Sequence, residues 1–391
     1  MIRRVGASGL DLEELLRAYF LRAGFFVTRG VPVAYKGEDL TDVDLLLYER
    51  PTGATRRIEV VDIKYKQKPK TIERLLWTRG LVDALDVDGG YVATTDTRPM
   101  LRDVAAKLGL VIIDGADLRR IKESQNVLFP ERISDEELVV QLTAVDRQRK
   151  GKRLSEARKA ILGSLTDGLG PASVVSALSR FSEMAGLSTT AHPGSEGAEA
   201  TGRLAYLAAA IACAGLDYIS VGAAFRSIDE RRELLLNAVR FGVAGSLEGT
   251  RSLNLAIGLI EKYAPGGSTT AHKVEQKFRA DLAAIPAEIV AEQAGRLLKD
   301  GALFTVAREI EAACYGRTCP TFDHLNPPAK SMIGAFLDFA GVNRELFASA
   351  WSARSPHEPR QDAQASAESG RSPDADQKTQ EGTQEQAPLF K

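Results

Sequence analysis

With 391 residues, 51 basic and 52 acidic side chains and a formal net charge of −1, the chain is long enough for two ordinary domains of roughly 100–200 residues each. That balance excludes a polyanion partner attracted by the whole surface, so any nucleic-acid signal has to be local. Three cysteines, Cys213, Cys314 and Cys319, give no disulfide framework and fit a reducing cytoplasm.

The opening segment is basic but runs into alternating charge and does not read as a secretory signal. Ser8 and Asp11 resemble a capping box, and Leu12, Leu15, Leu16, Tyr19, Phe20 and Ala23 then recur at helical spacing until Gly24, which predicts a first amphipathic helix. Three strands follow: Phe25 to Val33, Asp42 to Tyr48 and Arg56 to Tyr65, with Pro51-Thr52-Gly53 turning the chain between the last two. After Pro69 a helix carries Ile72, Leu75, Leu76, Leu81, Val82 and Leu85 on one side, and Gly89-Gly90 opens the strand Tyr91 to Thr94. A helix from about Pro99 to Leu108, a strand Leu110 to Ile113 and a short helix from Ala116 complete an αβββαβαβ order, which implies a mixed sheet flanked by helices.

From about Glu137 to Trp351 the sequence is rich in Ala, Leu and Glu and shows no strand alternation, so an all-α domain is expected. Leu204 to Phe225 is long enough to span a bilayer, but Asp217 near its middle marks it as a buried helix, and no membrane association is expected. Ser188-Thr189-Thr190-Ala191-His192 recurs at 268–272, as a duplicated unit or, on the preferred reading, as two similar helix caps. Beyond Trp351 the Ser, Gln, Glu, Asp and Pro content predicts a disordered tail. The expected divisions are 1–130, 131–351 and 352–391.

One place offers converging carboxylates and a cation. In Ile58-Glu59-Val60-Val61-Asp62-Ile63-Lys64, residues two apart share a face, so Asp62 and Lys64 point the same way at the end of an apolar, central strand. Asp44 heads the Leu45-Leu46-Leu47 run of the preceding strand, which a hairpin brings alongside. A hard divalent cation could be held between the two carboxylates.

Asp44 followed by Asp62-Ile63-Lys64 resembles the PD-(D/E)xK motif of restriction-endonuclease-like nucleases. The order of elements is similar to that of Mrr-type restriction endonucleases and their Holliday-junction-resolvase relatives. Leu12-Glu13-Glu14-Leu15 running to Ala23-Gly24-Phe25 resembles their first helix, and Gly89 to Thr95 their fourth strand. The resemblance covers about a third of the chain. It departs from the family in lacking a proline before Asp44 and in carrying Asp62 where Mrr-like proteins more often have Glu.

The resemblance implies an α/β restriction-endonuclease-like domain with an αβββαβ core, ahead of the all-α domain and the tail. It implies that Asp44 and Asp62 bind Mg²⁺ or Mn²⁺, that the Ile63 carbonyl completes the shell, and that Lys64 orients or activates the attacking water. It also implies that Glu13 assists the metal, with Glu14 its rival. The reaction would be hydrolysis of DNA, with RNA a lesser candidate substrate, in defence or repair. The helical domain would supply target recognition, a protein partner surface or self-association. The alternative is a nucleic-acid-binding or scaffold subunit with a vestigial site.

Between Lys64 and Arg79 stand Lys64, Lys66, Lys68, Lys70, Arg74 and Arg79 against Glu73 alone. Lys66, Lys68, Lys70 and Arg74 are the expected phosphate contacts. Tyr65 and Trp77 stack on bases or, for Trp77, belong to the core. Cys314, Cys319, Asp323 and His324 resemble part of a zinc site without a standard spacing.

Overall fold

The computed structural model describes residues 9–36, 38–65, 69–124, 128–242, 246–298 and 301–352. Ser8 and the tail beyond 352 lie outside them.

Helix α1 (Gly9–Arg22) leads into strands β1 (Phe26–Tyr35), β2 (Glu38–Thr52) and β3 (Thr55–Lys64). Helix α2 (Thr71–Ala84), strand β4 (Gly89–Thr94), helix α3 (Met100–Lys107), strand β5 (Val111–Ile113) and helix α4 (Gly115–Glu123) follow. The five strands form one mixed sheet in the order β1-β2-β3-β4-β5. β1, β2 and β3 run antiparallel to their neighbours, whereas β3, β4 and β5 are parallel. Those parallel connections need the crossover helices α2 and α3.

Both faces of the sheet are covered. On one, Leu12, Leu16 and Phe20 of α1 and Leu118 of α4 pack on Leu45, Leu47, Val61, Ile63 and Ala93. On the other, Leu46, Tyr48, Ile58, Val60 and Val92 join Leu75 and Val82 of α2 and continue without a break into the helical region. The buried side of α2 is Thr71, Leu75, Thr78 and Val82, while Ile72 and Leu76 are exposed. The apolar stripe expected from sequence is therefore turned by part of its width, because α2 settles on β4 and its polar Thr71 and Thr78 are buried there.

The helical region comprises α5 (Asp135–Gln148), α6 (Arg153–Gly163), α7 (Pro171–Thr190), α8 (Glu196–Val221), α9 (Ile228–Phe241) and α10 (Ser246–Tyr263). It continues with α11 (Gly267–Ala283), α12 (Ala287–Arg296), α13 (Ala302–Tyr315), α14 (Pro327–Ala340) and α15 (Arg344–Ser349). Among the described residues α8 alone is long and apolar enough to cross a membrane, but 94% of its most apolar stretch is buried inside the protein. It packs chiefly against α7 and α13. Its Asp217 accepts hydrogen bonds from Tyr48 Oη at 2.6 Å and Arg50 Nη1 at 2.5 Å, both from β2, so the carboxylate that interrupts the apolar run ties the helix to the sheet.

The sheet and the helical region belong to one compact unit, not to two bodies with separate cores as the length suggested. Buried ion pairs reinforce the join. Glu311 of α13, fully buried, accepts from Arg17 of α1 and from Arg132, each at 2.7 Å. Burial raises the proton affinity of Glu311, yet Arg132 and Arg17 outweigh it and hold the carboxyl below its ordinary range. The two Ser-Thr-Thr-Ala-His segments are neither a repeat nor a pair of caps. The first closes the last turn of α7, where Ser188 and Thr189 donate back to the carbonyls of Ala185 and Gly186, and the second lies in the first turn of α11.

Replacing Glu311 by Ala leaves two guanidinium groups in the core without their carboxylate, and is expected to cost about 3–5 kcal/mol. Urea unfolding, followed by far-ultraviolet circular dichroism, should show that loss in a single transition shared by sheet and helices; a change below about 1 kcal/mol would mean the pairs are dispensable.

Candidate functional site

The sheet forks. Pairing of β2 with β3 runs from Thr52↔Thr55 to Leu45↔Val61 and stops there. Beyond that point β2 stays with β1 as far as Glu38, and β3 stays with β4 as far as Lys64. Gly30 of β1, between the pairs Arg29↔Leu45 and Val31↔Val43, has φ of +66°, a backbone that glycine adopts without steric cost.

Asp44 is the first β2 residue past the fork. Its Oδ2 accepts the backbone N–H of Ile63 at 2.6 Å, so a side chain takes over a donor that the ladder has released. Asp62 and Lys64 flank Ile63 on β3. Burial pushes the Asp44 carboxyl up to about 6; the Ile63 N–H opposes this, Asp62 and Glu13 add to it, and Lys64 lowers it. At the fork Asp62, Lys64 and Glu13 thus each lie within electrostatic reach of Asp44.

Two arginines neutralise the acids around Asp44. Arg74, one turn into α2, grips Asp62 with both arms of its guanidinium, Nε to Oδ2 at 2.8 Å and Nη2 to Oδ1. Arg29 of β1 donates to Glu13 Oε2 from Nη2 at 2.6 Å and from Nε at 2.9 Å. Glu14 is drawn instead into the network that joins the sheet to the helices, through Arg17, Arg29 and the backbone N–H of Asp135. Glu13 is among the charges that raise the Asp44 carboxyl.

The basic segment is less available than its composition suggests. Arg74, expected on phosphate, is engaged by Asp62, and Lys70 pairs with Glu73 at 2.9 Å on the exposed surface. Lys66 and Lys68 lie outside the described residues. Trp77 is 46% exposed, with the Arg74 guanidinium 5.6 Å from its ring centre, and so is not core. Tyr65 is equally open.

Sequence reasoning missed Arg29 and the true partner of Arg74. A carboxylate on a buried strand end has to find a cation, and Arg74, ten residues past Lys64 in a helix that returns over the same strand, was available for that role. It also missed Asp96, just past β4, whose carboxyl falls to about 2, chiefly through Arg98. Asp96 accepts from Thr71 Oγ1 at 3.0 Å and so fixes the start of α2, the helix that carries Arg74.

By donor chemistry Asp44, Asp62 and the Ile63 carbonyl suit a hard divalent cation, and such an ion would favour the ionised Asp44 that burial disfavours. With Asp62 held by Arg74 and Glu13 by Arg29, no three His, Cys, Asp or Glu side chains among the described residues converge as a metal-binding group. The same holds for Cys314, Cys319, Asp323 and His324: Asp323 pairs with Lys330, and His324 Nδ1 meets Thr321 Oγ1 at 2.8 Å.

Compared with known proteins, the chain matches no family model, no curated protein and no solved structure. Its chemistry has to be read from the fork itself.

The raised Asp44 carboxyl has a measurable consequence. Between the ordinary value of 3.8 and about 6 the folded state keeps a proton that the unfolded state has released. The cost of ionised Asp44 is therefore absent below 3.8, grows through that window and is full above about 6, on the order of 2–3 kcal/mol. Asp44→Asn should raise the denaturation midpoint relative to wild type at pH 8, by an amount that shrinks steadily towards pH 4.5. A gain that does not vary with pH would contradict the assignment.

Proposed function

We propose that the fork is the centre of a metal-dependent nuclease of the restriction-endonuclease-like fold, hydrolysing DNA phosphodiester bonds in a defence or repair role. The observation that carries this reading is the Asp44 carboxylate bonded to the N–H of Ile63, the residue between Asp62 and Lys64, where β2 leaves β3. The αβββαβ order around them is in keeping with it.

Asp44 and Asp62 would hold Mg²⁺ or Mn²⁺, with the Ile63 carbonyl as a further oxygen and Glu13 in support. Bound there, the ion would stabilise the negative charge that develops on the phosphorus oxygens during attack. Asp44 is fixed by the Ile63 N–H, so one carboxylate is oriented in advance. Lys64 donates to the attacking water or to a phosphate oxygen and keeps the nucleophile in line. Arg74, the present partner of Asp62, would stand beside the site with its guanidinium free for a phosphate oxygen if Asp62 served as a metal ligand. The exposed Lys70–Glu73 pair is weak enough to be exchanged for a phosphate contact, and Lys66 and Lys68 complete the proposed backbone-binding set. All three cysteines are free and buried, which supports a reducing, cytoplasmic setting.

The Arg74–Asp62 pair also favours a second reading, in which a permanent ion pair has replaced the metal and the protein binds nucleic acid without cutting it. Incubation of purified protein with plasmid DNA and with RNA, in Mg²⁺ or Mn²⁺, separates the two. Cleavage that falls at least ~10²-fold in both Asp44→Ala and Lys64→Ala is the expected result, with DNA the better substrate. Equal behaviour of wild type and both variants sinks the enzyme reading and leaves the binding one.

A further inference from the structure

A cavity of about 300 Å³ opens beside the ends of β3 and β4. Tyr65, the residue after Lys64, forms one wall. Thr95 and Thr97 form another, just past Thr94, which pairs with Lys64 in the β3–β4 register. Leu12 and Leu15 of α1 and Leu118 of α4 give it an apolar floor, Asp11 of α1 is the one acid among the described residues that line it, and Arg119 and Lys122 of α4 stand at its exposed side. Gly115 lets the threonine loop sit directly on the start of α4, since a Cβ there would meet the Thr95 carbonyl at 2.5 Å. The cavity lies past the end of the strand that carries Lys64, on the sheet face that α1 covers.

The chemistry of the lining is specific. An exposed tyrosine ring and a leucine floor suit a flat, apolar-faced ring. Two threonine hydroxyls can donate to or accept from a polar ring edge. Two cations against the carboxylate of Asp11 leave the rim net positive, which suits phosphate. The volume lies at the small end of small-molecule sites, which run from ~300 to ~1,000 Å³, so a base pair in a duplex has no way in and a single extruded or unpaired base does.

We infer that this cavity receives one unpaired nucleotide of the strand whose phosphate lies at the fork: base between Tyr65 and the leucine floor, phosphate on Arg119 and Lys122. The preferred substrate is then a boundary between paired and unpaired nucleic acid, such as an overhang, flap or gap. This rests on the nuclease reading for where the strand runs, and a free mononucleotide shares the same chemistry.

Fluorescence anisotropy in EDTA, where no cleavage occurs, tests it with a labelled blunt duplex and the same duplex carrying a short single-stranded overhang. The overhang should bind about tenfold more tightly, as expected for one stacked base. Tyr65→Ala should abolish that difference, Tyr65→Phe should keep it, and Arg119→Ala with Lys122→Ala should shrink it. A deoxynucleoside monophosphate that competes the difference away supports the cavity and identifies the free nucleotide as a ligand. Equal affinities in wild type, a difference that survives Tyr65→Ala, or no binding of either DNA overturns the inference. The Asp44→Ala protein keeps the two questions apart: a binding preference without any metal-dependent cleavage by wild type removes the nuclease reading and leaves the cavity, whereas Asp44-dependent cleavage without preference removes the cavity alone.

Discussion

A sheet buried on both faces can present charge only where its strand pairing ends, and that constraint places every group of interest in this protein. β3 is buried from Ile58 to Ile63, with α1 on one face and α2 and the helical region on the other. Midway along it a carboxylate needs a partner brought to it: Glu59 has Arg57 at 2.8 Å and Tyr91 at 3.3 Å, and burial still raises its carboxyl. At the fork the backbone itself supplies a donor, the Ile63 N–H, and Asp44 takes it. That bond is possible because β2 turns away from β3 beyond Leu45↔Val61.

Around that point the protein matches acids with guanidinium groups from three directions: Arg74 from α2, Arg29 from β1, and Arg17 from α1 through Glu14. Arg29 also reaches Glu136 of α5 at 2.6 Å, and Asp135 beside it is gripped by Arg158 at 2.5 Å and by Tyr315 Oη at 2.9 Å. A chain of charge-assisted bonds therefore runs from the fork to the helical region. Removing one partner of such a buried set leaves its neighbour uncompensated, so position and charge state at the fork depend on helices distant in sequence. The helical region is a structural support of the site as well as a cover for the sheet.

That dependence accounts for the shared core. Tyr48 and Arg50 of β2 reach across to Asp217, and α8 lies where a separate domain would have kept its own surface. A helix composed largely of Ala, Leu and Ile would be unremarkable in a bilayer; here it is enclosed by α7, α13 and the sheet, with its one buried acid bonded to the strand that leads to the fork.

Much of the N-terminal fold was legible in the sequence because it rests on local periodicity: α1, the three antiparallel strands, α2 and β4 fall where alternation and helical spacing place them. Asp44, Asp62 and Lys64 could be proposed as a set because strand alternation and one tight turn put Asp44 on the strand beside the one that carries Asp62 and Lys64. What sequence could not supply was how those charges are partnered. Arg74 read as a free phosphate contact, Glu13 and Glu14 were indistinguishable, and the sheet and the helices looked like separate bodies. Those matters turn on contacts between residues far apart in the chain, and the energy of a buried charge depends on which partner arrives in space, a quantity that no spacing along the sequence encodes.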